Sequence, residues 1–340
     1  MSVLKFLKRF RRKDPVIITP FGGYANDHML HVQARVLEDE GIREAEEDSL
    51  LRTLYNSFKR FESDEISNAI VIARWKDQEK TLLSDNEGYV YLDKPHGLVL
   101  DHADILWLPV SFSLLENDLV AYEVTTTVMK PGTGATYGII SDIDDTVIHT
   151  GVVSWLKWRL LVNSFMKHSY KRMPLEGTAD FYTLLHKGKN GHDSNPFFYV
   201  SNSPWNLYLY LQTFLRKFNF PEGALLLRDM AISLRRKKSF LEGNKYRKAV
   251  HILETYPALP FILIGDAAES DADIYLHLAL TYPNRILAIY IRTVTHAARL
   301  RRIEKLIEQN TGIEMILVKS SAEAIDHARS RGYIAREDKP

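Results

Sequence analysis

The sequence predicts an α/β protein in which a parallel sheet covered on both faces by helices follows a β-rich, sandwich-like domain. Three observations predict it. Residues 16–130 carry runs that alternate apolar and polar side chains with a period of two. "KPGTGAT", 130–136, is a turn-forming linker. From 136 to 320 short apolar runs alternate with amphipathic helical patterns, the grammar of a parallel sheet buried on both faces.

In the first part, "LHVQARV" (30–36) sets Leu30, Val32, Ala34 and Val36 against His31, Gln33 and Arg35, as a half-buried strand does. "VAYEVTTTV" repeats the pattern with Val120, Tyr122, Val124, Thr126 and Val128. "AIVIA" at 69–73 and "ILWLPVSFSLL" at 105–115 are further strands. One helix interrupts the series, because Leu50, Leu51, Leu54, Tyr55, Phe58 and Phe61 recur at three- and four-residue spacing. Ahead of these strands, residues 1–15 interleave Val3, Leu4, Phe6, Leu7 and Phe10 with Lys5, Lys8, Arg9, Arg11, Arg12 and Lys13. This tail reads either as a basic anchor for an anionic membrane surface or as a solvated end.

In the second part the strands are "YGIIS", "FFYVS", "ALLLR", "FILIG" and "LAIYI", with helices near 178–187, 205–218, 245–256, 271–280 and 295–309. A C-terminal helix or tail occupies 321–340. Ligand sites of such sheets lie beyond the carboxyl ends of the strands. The residues there are Asp142, Ser201, Arg228 and Asp266.

Composition narrows the function. The chain has 340 residues, enough for two domains, and a net charge of +1, which argues against a nucleic-acid binder held by bulk positive charge. Cysteine is absent, which excludes disulfides, thiolate zinc sites and cysteine nucleophiles and suits a reducing, cytoplasmic setting. No stretch approaches the roughly 20 apolar residues that span a bilayer. His28, His31, His96, His102 and His149 show no metal-ligand spacing in the sequence.

Chemistry concentrates at three strand ends. The first delivers Asp142, Asp144, Asp145 and Thr146; the second Ser201, Asn202 and Ser203; the third Asp266, followed by Asp271 and Asp273. Lys245 stands near a helix start in "GNKYRKAV". Converging carboxylates need a cation. Hard oxygen donors without histidine or cysteine point to Mg²⁺.

This order resembles the haloacid dehalogenase superfamily of phosphotransferases. "DIDDT" is similar to its first motif, Ser201 to the second, Lys245 to the third and "GDAAESD" (265–271) to the acidic fourth. "GIISDIDDTV", "YVSNSPWNLYLYLQTFLRKFNFPEGALLLRD" and "FILIGDAAESDADIY" resemble the phosphatidate phosphatase catalytic-domain family, the actin-patch-associated type, over roughly 137–295. "FGGYANDHMLHVQARVL" is similar to the β domain that precedes the catalytic one in bacterial members. The resemblance implies a haloacid-dehalogenase-like Rossmannoid fold with at most a small cap. It also implies Mg²⁺-dependent hydrolysis of phosphatidate to diacylglycerol through an aspartyl-phosphate. The alternatives are the same mechanism on a non-lipid phosphoester, or a silent scaffold that binds phosphate or lipid.

The implied roles follow. Asp142 attacks phosphorus; the metal is held by Asp142, Asp144 and Asp266, with Asp271 close by. Lys245 adds positive charge and Ser201 a hydrogen bond to phosphate, with Thr146 and Asn202 as further substrate contacts. Residues i and i+2 at a strand end project to one side, so Asp144 can protonate the leaving alkoxide and then activate water. Asp145 has no assigned role. Two segments are candidates for a peripheral lipid contact. Residues 152–168 carry Trp155 and Trp158 beside Lys157 and Arg159, a pattern that an ordinary amphipathic helix packed on the sheet also gives, and that reading is the preferred one. The basic stretch "SLRRKKSF", 233–240, is the other, as a solvated loop or one that attracts a phosphate-rich surface.

Overall fold

The structure is a computed structural model that describes residues 15–39, 50–97, 101–143, 176–228, 241, 243–267, 270–293 and 297–336. Asp144, Asp145, Thr146, His149, the tail up to residue 14, the segment 152–168 and the basic loop up to residue 240 lie outside the described residues.

The first part comprises β1 (Val16–Ala25), β2 (Met29–Glu38), α1 (Leu50–Glu62), β3 (Ile70–Trp75), β4 (Gln78–Leu83), β5 (Tyr89–Pro95), β6 (Leu106–Glu116) and β7 (Leu119–Lys130). The strands form one seven-stranded sheet in the order β4-β3-β6-β7-β1-β2-β5. β1 runs parallel to β7; the other pairs are antiparallel. The sandwich-like expectation is realised by a single sheet folded over itself, with edge strands β4 and β5 in contact. The Gln78 amide donates to the His96 carbonyl at 2.9 Å across that seam. Ile18, Leu30, Val32, Val71, Val110 and Phe112 fill the interior.

The alternation read in β2 holds for Leu30, Val32, Ala34 and Val36, which are buried. Arg35 departs from it and is buried too. Its guanidinium donates to Glu87 O at 2.9 Å, Glu65 Oε1 at 2.9 Å and Asn206 Oδ1 at 3.3 Å, and it lies over the Tyr89 ring. A buried cation is tolerable when its donors are satisfied. Asn206 belongs to the second part, so Arg35 is a tie between the two.

The second part comprises β8 (Gly138–Asp142), α2 (Thr178–Lys187), β9 (Phe197–Pro204), a 3₁₀ turn (Trp205–Leu207), α3 (Tyr208–Lys217), β10 (Gly223–Arg228), α4 (Asn244–Thr255), β11 (Phe261–Asp266), α5 (Asp271–Thr281), β12 (Ile286–Arg292), α6 (Ala297–Gln309), β13 (Met315–Val318) and α7 (Ser321–Ser330). Six strands form an all-parallel sheet in the order β10-β9-β8-β11-β12-β13. Counted along the chain within this sheet, that is the doubly wound order 3-2-1-4-5-6, in which the ligand crevice opens where the order reverses. Here the reversal falls between β8 and β11.

Side chains of α2, α3 and α7 cover one face, among them Phe181, Leu185, Leu211, Phe214 and Ala328. Side chains of α4, α5 and α6 cover the other, among them Ile252, Leu253, Ala272, Ile274 and Ile303. Every residue of β8 is buried, as a central strand with helices on both faces requires. The pattern reading found five of the six strands and omitted β13, a four-residue edge strand. The helix expected in 321–340 is α7, which packs against α2.

The two parts share packing. Helix α1 lies on α3 and the 3₁₀ turn. Phe21 stacks on Trp205 with ring centroids 4.5 Å apart. The Gly22 amide donates to the Tyr208 hydroxyl at 2.7 Å, and the Tyr256 hydroxyl donates to Ala25 O at 2.9 Å. Among the described residues no helix is long and apolar enough to cross a membrane.

Candidate active site

Adjacent parallel strands β8 and β11 end on Asp142 and Asp266. Helix α5 begins at Asp271, so its first turn stands directly beyond β11. The Asp271 carboxylate folds back over the strand end. One oxygen accepts from the Asp266 amide at 3.3 Å, and the other lies 3.0 Å from Lys245 Nζ. Gly265 makes room for this: a Cβ there would stand 2.5 Å from Asp271 Oδ2 and 2.7 Å from Asp271 Cβ. Lys245 is the second residue of α4, which Gly243 caps in an extended conformation. Its ammonium also reaches Asp142 Oδ1 at 2.7 Å.

Asp142, Asp266, Asp271 and Lys245 are all buried. Carboxylate oxygens of the three aspartates lie within 4.8 Å of one another. Like charges at that distance in a low-dielectric site repel strongly, and an ammonium between two of them relieves part of the repulsion. The donor set is entirely oxygen, buried and convergent, which is the chemistry that suits a hard divalent cation such as Mg²⁺. Asp142, Asp266 and Asp271 would hold it.

Ser201 is fully buried in β9, one residue past Val200, the residue that pairs with Asp142. Its hydroxyl accepts from the Ser203 amide at 2.8 Å. Its carbonyl accepts from Asn244 Nδ2 at 3.2 Å. Asn202 follows on the same strand and is half-buried. Arg228 ends β10, the edge strand two places from β8. The structure therefore unites Asp142, Asp266, Asp271 and Lys245 in one contact group and sets Ser201 at the neighbouring strand end.

Several residues went unread in the sequence. Asn244 precedes Lys245 and ties α4 to the Ser201 backbone. A pocket of about 340 Å³ opens at Asp142 and Asp266, and Tyr182, Arg292, Lys319 and Ser320 also line it. Tyr182 Oη lies 2.6 Å from Ser141 Oγ. Burial pushes its hydroxyl up to about 12, although the Ser141 hydrogen bond works the other way. Arg292 ends β12 as Asp142 ends β8, so the strand-end rule applied to "LAIYI" identifies it. Lys319 and Ser320 follow β13, the strand the pattern omitted.

Residues 137–293 match the family described as phosphatidate phosphatase APP1, catalytic domain. Phosphatidate phosphatase APP1 of Saccharomyces cerevisiae is 35% identical over 161 residues, which are 47% of this chain and 26% of that protein. An uncharacterized protein of Schizosaccharomyces pombe is 32% identical over 160 residues, 46% of this chain and 25% of that one. The chain thus spans about a quarter of the length of the curated relatives it matches. Among solved structures, a carbohydrate acetylesterase from Xanthomonas citri aligns over 90% of this chain and 66% of that one, with a TM-score of 0.31 and 7% identity, too slight a likeness to carry an argument. Asp142, Lys245 and Asp266, brought together by the fold, all lie within the segment 137–293 that matches the phosphatidate phosphatase APP1 catalytic-domain family.

Proposed function

We propose that this chain is a Mg²⁺-dependent phosphoric monoester hydrolase that converts phosphatidate to diacylglycerol through an aspartyl-phosphate on Asp142, within a haloacid-dehalogenase-like domain. One observation carries the reading: Lys245 sits between Asp142 and Asp271, with Asp266 beside them, buried at the reversal point of a parallel sheet. The 3-2-1-4-5-6 strand order supports the fold assignment, and the family of residues 137–293 supports the substrate.

The chemistry follows from charge. A phosphoryl dianion repels an approaching carboxylate, so Asp142 attacks only where positive charge offsets both. Lys245 supplies part of that charge at 2.7 Å. Mg²⁺, when bound by Asp142, Asp266 and Asp271, would neutralise the charge that builds as nucleophile and phosphate meet. An Asp142 oxygen bonds to phosphorus while the ester P–O bond breaks, and the departing alkoxide takes a proton, the role expected of Asp144. Water then attacks phosphorus, releasing inorganic phosphate and regenerating the Asp142 carboxylate. The pocket of about 340 Å³ suits a phosphate with its glycerol, so the acyl chains stay outside it. Residues 16–130 act in this reading as a β-rich domain that orients the catalytic one toward a lipid surface.

The test compares phosphate release from phosphatidate in micelles with release from soluble phosphomonoesters, with Mg²⁺ and with chelator. The reading expects Mg²⁺-dependent release from the lipid and a phosphorus label trapped on Asp142. Turnover of soluble esters alone would transfer the mechanism to a non-lipid substrate. Inertness toward every ester would make the chain a scaffold.

A further inference from the structure

We propose that His31, Asp93 and His251 hold a divalent transition metal of the Zn²⁺ class, which clips the N-terminal sheet to helix α4. The sequence gives no hint of this group, because His31 lies on β2, Asp93 on β5 and His251 on α4, in the other half of the chain. The fold brings one ligand atom of each within 4.8 Å of the others. His31 Nδ1 is 3.0 Å from Asp93 Oδ1, and the two imidazoles meet edge to face with centroids 4.7 Å apart.

Two further features suit a metal. His251 Nδ1 is hydrogen-bonded to the buried Tyr24 hydroxyl at 2.5 Å, which orients the ring. Finally, the cluster lines a cleft of about 470 Å³ between the two parts of the molecule, which leaves room for water in a fourth position.

The donor set distinguishes this group from the three aspartates. Two imidazoles and one carboxylate favour Zn²⁺ over Mg²⁺. The FGGY segment builds the approach. β1 changes register against β2 between Phe21 and Tyr24, and any side chain at Gly23 would run into the His31 carbonyl. Helix α4 then serves two sites. Asn244 and His251, two turns apart, face this cleft, while Lys245 turns toward Asp142.

The experiment uses the full chain stripped with chelator and titrated with Zn²⁺ alone, then with Co²⁺ as a spectroscopic probe. The proposal expects Zn²⁺ to raise the thermal midpoint of the wild type and of Asp142→Asn, and Co²⁺ to give the strong visible absorption of four-coordinate nitrogen–oxygen ligation. His31→Gln and His251→Gln should each weaken Zn²⁺ binding by at least about 100-fold, and Asp93→Asn by about tenfold. Asp93 is largely exposed, so Asp93→Asn decides the matter should either histidine variant fail to fold. Zn²⁺ affinity unchanged in Asp93→Asn, or in a folded histidine variant, overturns the proposal. So does loss of Zn²⁺ binding in Asp142→Asn, which would assign the ion to the aspartate site.

Discussion

The Lys245 ammonium lies 2.7 Å from an Asp142 carboxylate oxygen, with both side chains 4% exposed. The same ammonium is 3.0 Å from Asp271. Breaking a buried ion pair by removing one partner costs about 3–5 kcal/mol, because the remaining charge stays buried. Lys245→Met should therefore unfold at markedly lower urea concentration in chelator. Added Mg²⁺ should recover part of the loss, since a cation that binds only the native state stabilises it by mass action. Equilibrium unfolding with and without Mg²⁺ measures both effects, and a midpoint that never moves would show that the lysine does not hold the carboxylates together.

Asp142→Asn keeps the shape of the side chain and removes the attacking oxygen's charge. Turnover should fall on the order of 10⁴-fold or more, the scale of losing a nucleophile. Lys245 retains Asp271 in this variant, so the protein should remain folded by circular dichroism. Substantial residual hydrolysis would move the nucleophile elsewhere.

Ser201 separates a turn residue from a phosphate contact. Its hydroxyl already accepts from the Ser203 amide, which by itself explains a serine at this position. If it also donates to a phosphoryl oxygen, Ser201→Ala should lower kcat on the order of 10²-fold, and Ser201→Thr should restore most of it. A drop in stability with unchanged kcat would leave only the turn.

Apolar pattern made the second part of the fold legible. Strands buried on both faces read as unbroken apolar runs, and the helices between them keep a 3.6-residue period. β4 escaped notice because five of its six residues are exposed, so no face is marked by apolar side chains. β13 escaped because four residues are too few to show a period. At the site, Asp142, Asp266 and Lys245 were readable because strand order converts sequence position into a common edge. Tyr182 was not, since its approach to Ser141 depends on how α2 is laid across the sheet. The pairing of His31 with His251 depends on how the N-terminal sheet docks on α4, and no local pattern encodes that.

Gly265 gives a test of how the acidic group is positioned. A methyl at this residue would meet Asp271 Oδ2 at 2.5 Å and the Tyr275 ring at 2.8 Å. Both neighbours belong to α5, so the helix start must shift. Gly265→Ala should cost about 1–3 kcal/mol, as overpacking of a tight interior does. The same shift should raise the Mg²⁺ concentration needed for half-maximal hydrolysis. An alanine variant with wild-type metal dependence would mean that α5 yields without moving Asp271.

Buried tyrosines set an alkaline limit on the fold. Burial pushes Tyr182 and Tyr208 up to about 12 from the ordinary value of 10.0. In both cases the protonated form is favoured in the native state, so the native protein holds more protons than the unfolded chain between those values. Stability is therefore unaffected below about pH 10 and falls as the pH rises toward 12, by about 3 kcal/mol for each tyrosine. The tyrosinate absorbance of Tyr182 and Tyr208 should consequently appear only as the near-ultraviolet circular dichroism collapses. Tyr182→Phe should move that collapse to higher pH by removing one titrating group, at the expense of the Ser141 hydrogen bond. Smooth ionisation of every tyrosine near pH 10 in a still-folded protein would contradict this packing.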